Sequence, residues 1–91
     1  MVTAIVLMNI KRGRVNDIAE KLAEAEGIAE VYSVGGRFDL AAIIRVASNE
    51  AMAHLVTDHL ANLDGIEKTE TLLAFQSFSR HDLDAMFSIG N

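Results

Sequence analysis

The sequence predicts an α+β domain of the ferredoxin-like type, a βαββαβ chain whose four-stranded antiparallel sheet carries two helices on one face. Three observations predict it. Strand-like and helix-like stretches follow one another in that order, ninety-one residues suffice for one domain and no second one, and the two strands richest in aliphatic residues are apolar on both faces.

Met1 to Ile10 is aliphatic and β-branched and stops at Lys11-Arg12-Gly13-Arg14, the pattern of a strand closed by a polar turn. Val15, Ile18, Ala19, Leu22 and Ala25 then recur at helical spacing opposite Asp17, Glu20, Lys21 and Glu24, and Gly27 stops that helix. Ile28 to Val34 and Phe38 to Val46 are the second and third strands, joined through Gly35-Gly36-Arg37. Ser48 is a favourable N-cap with Glu50 in the first turn behind it. Met52, Leu55, Val56, His59, Leu60 and Leu63 trace the apolar stripe of this second helix as far as Asp64-Gly65. Ile66 to Phe78 is a long last strand, with Thr69, Thr71, Leu73 and Phe75 on one side. Residues 1–80 thus make the folded domain and 81–91 an amphipathic tail, whose Leu83, Met86 and Phe87 predict a contact between subunits.

Thirteen acidic against eight basic side chains give a net charge of −5, the wrong sign for a domain that neutralises phosphates, so direct nucleic-acid binding is not expected. No cysteine is present, which excludes disulfides and thiolate metal sites. His54 and His59 are five apart on a helix and do not form an i,i+4 chelating pair; His59 is expected in the core stripe, and His81 sits beside Asp82 at a cap. There is no nucleophile elbow, phosphate loop or dinucleotide fingerprint, so no catalytic residue, metal or cofactor is expected. The apolar run from Met1 to Ile10 falls far short of the ~20 residues of a membrane span, and a cytoplasmic location without a membrane partner follows.

The apolar content, 51% with a mean hydropathy of +0.23, exceeds what so small a domain hides easily, since such a chain buries only about 60% of its unfolded surface. The first strand carries Ala4, Val6, Met8 and Ile10 on one face and Ile5 and Leu7 on the other; the third carries Leu40, Ala42, Ile44 and Val46 against Ala41 and Ile43. Two helices cover one face only. A second copy of the same sheet, packed face to face in an isologous homodimer, is the economical cover for the other.

One segment points to ligand chemistry. In Val34-Gly35-Gly36-Arg37-Phe38-Asp39-Leu40 two glycines allow a close approach to exposed backbone N–H groups, which suit a carboxylate, and Asp39 suits an ammonium. Thr69 and Thr71 on the last strand offer hydroxyls. A free amino acid fits that set. Asp39 alone is equally the cap of a hairpin.

The Gly35-Gly36-Arg37-Phe38-Asp39-Leu40 stretch, followed by Leu63-Asp64-Gly65-Ile66 and Thr69-Glu70-Thr71, resembles the effector-binding domain of the Lrp/AsnC family of feast/famine regulators over about Val2 to Phe78. That resemblance implies dimers made by sheet-to-sheet packing, association of dimers into an octamer or decamer, and small effectors, usually amino acids, held in clefts between neighbouring dimers. The ligand-binding residues it carries over are Gly35, Gly36, Arg37, Phe38 and Asp39, with Thr69 and Thr71. Regulators of the family place a helix-turn-helix before this domain, whereas this chain starts at the first strand, so it is similar to a stand-alone effector domain that influences transcription indirectly, alone or co-assembled with a full-length regulator. The alternative is a cofactor-free dimeric α/β-barrel enzyme, a small monooxygenase or isomerase, with Thr3, Asn9, Tyr32, Ser33 and Arg45 as the polar residues facing the space between two sheets.

Overall fold

A computed structural model describes residues 1–80. The tail from His81 onward, with its expected subunit contact, lies outside the described residues. The elements run β1 (Val2–Ile10), α1 (Val15–Glu24), β2 (Ile28–Ser33), β3 (Leu40–Val46), α2 (Asn49–His54) with a π-helical continuation (Leu55–Leu60), and β4 (Ile66–Ala74). All pairings are antiparallel, and the strand order is β2-β3-β1-β4. The predicted ferredoxin-like architecture is therefore the one observed. Among the described residues no helix is long and apolar enough to cross a membrane.

The register explains which residues face which way. Val6 stands opposite Ala42 on β3 and Thr71 on β4, and Met8 opposite Leu40 and Thr69. The helix side of the sheet thus carries Ala4, Val6, Met8, Leu40, Ala42 and Ile44, all with no solvent exposure, against which α1 lays Ile18 and Leu22, also fully buried. Burying each of these Ile and Leu side chains contributes roughly 1.5–3 kcal/mol. The opposite side carries Ile5 and Leu7, Ala41 and Ile43, and Leu72 on β4, framed by Thr3, Asn9, Tyr32, Arg45 and Glu70. Leu72 is 46% exposed and Tyr32 49%, so this apolar face has no cover among the described residues.

Three details depart from the sequence reading. Ser33 pairs with Leu40 and so belongs to the helix side, because its neighbour Tyr32, opposite Ala41, already faces the other way. The last strand ends at Ala74 and not at Phe78, since Ala74 pairs with Thr3 at the start of β1 and no strand remains beyond it to bond. His59 is exposed. Ser48 caps α2 as expected, its Oγ accepting the Ala51 N–H at 3.1 Å, but the helix widens to π geometry from Leu55. The Thr57 hydroxyl donates to the Ala53 carbonyl at 2.6 Å, occupying an acceptor of the regular ladder. Leu55 and Leu60, five apart, then both reach the core, and His59, four from Leu55, turns to solvent.

Gly27 turns the chain from α1 into β2 at φ +94°, and a Cβ there would meet Val46 Cγ1 at 3.0 Å and Leu55 Cδ2 at 3.2 Å. Gly27→Ala is expected to lower unfolding free energy by about 1–3 kcal/mol in urea titration. Gly35→Ala, where a Cβ meets nothing within 4 Å, should change it by less than about 0.5 kcal/mol.

Candidate functional site

Where β1 ends, the chain between β2 and β3 is clamped from several directions. The Asp39 N–H donates to the Met8 carbonyl at 2.8 Å, and the Asp39 carbonyl accepts the Val34 N–H at 3.0 Å, which closes the connection on itself. The Asp39 carboxylate accepts the Ile10 N–H through Oδ2 at 2.8 Å, in a half-buried position. Asn9 Nδ2 donates to the Arg37 carbonyl at 2.7 Å. Asp39 is thus a structural clasp between β3 and the last residue of β1, as well as a carboxylate beside the loop.

Between those clamps the backbone is open. Gly36 has φ +117°, and a Cβ at Gly35 or Gly36 would touch nothing within 4 Å. Among the described residues, the N–H groups of Gly35, Gly36, Arg37 and Phe38 donate to no acceptor, and Asp39 Oδ1 accepts nothing. The Arg37 side chain is exposed, Phe38 half-buried. Four consecutive amides held in place without internal partners can receive an anionic group. Among the described residues nothing lies within 4 Å of a Cβ built on either glycine, so this side of the loop is open.

Thr69 and Thr71 stand apart from this loop within one subunit. They face the helix side of β4, opposite Met8 and Val6, so β1 intervenes between them and β3, a separation of about two strand spacings or 9–10 Å. Thr69 instead borders a shallow groove of about 160 Å³ with Val56, Leu60, Ala61 and Ile66. The five residues Gly35 to Asp39 are brought together; the two threonines are not brought to them.

The sequence reading passed over the clamp made by Asn9, although a polar residue closing an aliphatic strand was its signal. It also passed over a cleft of about 640 Å³ at the other end of β3, lined by Ala25, Gly27, Arg45, Val46, His54 and Leu55 among others, which no motif announces. On the exposed sheet face, Tyr32 donates to the Glu30 carboxylate, and this bond and the Glu30 charge raise the phenol above its usual pKa. Arg45 stands 3.8 Å from Glu30 on the same face. Among the described residues no group of three or more His, Asp or Glu side chains is placed to hold a metal ion.

Comparison with known proteins gives these features a context. The family model of the Lrp/AsnC ligand binding domain matches residues 3–83. The HTH-type transcriptional regulator FL11 of Pyrococcus furiosus is 28% identical over 75 residues, covering 82% of this chain and 49% of that protein. The HTH-type transcriptional regulator YugG of Bacillus subtilis is 31% identical over 84 residues, covering 89% of this chain and 50% of that one. The chain therefore spans about half the length of the curated relatives it matches. Among solved structures, TTHA0845 of Thermus thermophilus superimposes with a TM-score of 0.82 at 44% identity, over 88% of this chain and all of that one. The transcriptional regulator NMB0573 of Neisseria meningitidis, solved as a complex with L-Met, shares the fold at a TM-score of 0.78 and 14% identity, over 87% of this chain and 53% of that chain.

Removing the Asp39 carboxylate should loosen the clasp. Asp39→Ala is expected to destabilise the fold by about 1–3 kcal/mol in urea titration and to speed amide exchange at Ile10, whereas Arg37→Ala should leave both unchanged.

Proposed function

This chain belongs to the Lrp/AsnC ligand-binding domain family, and on that premise we propose that it senses a small-molecule effector, an amino acid, at the loop from Gly35 to Asp39. The observation that carries this reading is the loop itself: four successive amides without acceptors among the described residues, on a backbone closed by the Val34–Asp39 bond and held by Asn9 at the Arg37 carbonyl. Fixed donors bind an effector carboxylate without first paying to order themselves. Asp39 Oδ1 is the acceptor available for the ammonium. The L-Met complex of the Neisseria regulator supports an amino acid as the kind of ligand this fold takes.

The missing wall comes from other subunits. The apolar sheet face of Ile5, Leu7, Ala41, Ile43 and Leu72 pairs with its own copy in a homodimer, and dimers assemble into an octamer or decamer whose contacts close the loop over the effector. Thr69 and Thr71 complete the site in that assembly. With a net charge of −5, these ninety-one residues act on transcription through a partner, such as a full-length regulator of the same family, and not through their own contact with DNA. The relatives' shared description as transcription regulators supports a regulatory role in place of an enzymatic one.

Isothermal titration of the full chain against the twenty amino acids tests the reading. At least one should bind, and Asp39→Ala should weaken it by about 1.5–3 kcal/mol, the scale of a hydrogen bond to a charged group. Failure of all twenty to bind at millimolar concentration would refute the effector role.

A further inference from the structure

The cations of this acidic chain are unevenly neutralised. Arg14 is bonded to Asp17 at 2.8 Å and faces Asp64 at 3.7 Å; Lys21 also faces Asp17, and Arg45 faces Glu30. The hydrogen bond from Arg14 holds the Asp17 carboxyl below the usual carboxylate range, as a committed pair does. By contrast, Lys11, Arg12, Arg37 and Lys68 make no ion pair among the described residues.

These four share one place. Lys11 and Arg12 follow directly on Ile10, whose N–H is held by Asp39. Lys68 stands opposite Asn9, whose side chain holds the Arg37 carbonyl. The end of the sheet where β1 stops, at which this loop lies, thus carries four cations without an ion pair among the described residues, with Lys68 one strand beyond Asn9. Its own acid, Asp39, has one oxygen spent on Ile10, and Glu67 and Glu70 lie on β4 beside Lys68 without pairing to it. Grouped cations around fixed backbone donors favour a ligand with more than one negative group.

Resting on the effector role proposed above, we infer that the ligand class of this site is a dicarboxylic amino acid. The loop amides receive the α-carboxylate, Asp39 Oδ1 the ammonium, and Arg37, supported by Lys11, Arg12 and Lys68, the side-chain carboxylate. A neutral isostere loses that last interaction and leaves the cations as they are in the free protein.

Titration of the full chain with aspartate, asparagine, glutamate and glutamine, with inorganic phosphate as a competing anion, tests the inference. Aspartate or glutamate should bind at least tenfold tighter than its amide, with the advantage shrinking as salt rises from ~0.02 to ~0.5 M. Arg37→Gln should abolish the advantage; Lys21→Gln, the same charge change on α1, should preserve it and leave affinity for the amide unchanged. Tighter binding of neutral or basic amino acids would overturn the inference while leaving the effector role standing, and binding of none of the four or of any other amino acid would overturn both. A preference that survives Arg37→Gln, or displacement of glutamate by equimolar phosphate, would also overturn it.

Discussion

The pairing of β1 with β3 governs this molecule. These are the two interior strands of the sheet, and between them they present aliphatic side chains to both sides: Val6, Met8, Leu40 and Ile44 to the helices, Ile5, Leu7, Ala41 and Ile43 away from them. A sheet has two faces, and the two helices among the described residues both pack on the same one. An antiparallel sheet that ends in water on one side ordinarily alternates apolar with polar residues. Here the alternation is absent at the centre and returns only at the margins, with Tyr32 and Glu30 on β2 and Lys68 and Glu70 on β4. An apolar centre with a polar rim is the layout of an interface.

The same strand pair places the loop. Because β3 begins one residue past Asp39, the Asp39 backbone extends the ladder to Met8, and its carboxylate reaches the next free donor on β1, the Ile10 N–H. The open amides of Gly35 to Phe38 are therefore held by the core pairing itself and are not a floppy excursion from it. Asp39 serves the fold through Oδ2, and in the proposed site its Oδ1 takes the ammonium of the effector.

Periodicity made most of this legible in the sequence. The alternation in β1 and β3, the helical spacing of Ile18 and Leu22, and the N-cap at Ser48 each depend on neighbours close in the chain, and each is found as expected. The misreadings all involve partners distant in sequence or a change of period. His59 and Leu60 both fit an α-helical stripe, but over the π-helical turn from Leu55 only Leu60 of the two reaches the core. β4 is shorter than its composition suggests because β1 has only Val2 left beyond the Thr3–Ala74 pair. How the two threonines stand to the loop likewise depends on distant partners: the strand order β2-β3-β1-β4 puts β1 between them within one chain.

The proposed homodimer covers the sheet face that the described residues of one copy leave open. Sedimentation equilibrium of the full chain at micromolar concentration tests it most directly, with Ile43→Asp as the comparison. The wild-type mass should be at least twice the 9.9 kDa of the chain and should shift toward the single-chain mass when the charge is placed on the face. A wild-type protein that sediments as a lone 9.9 kDa species across that range would contradict it.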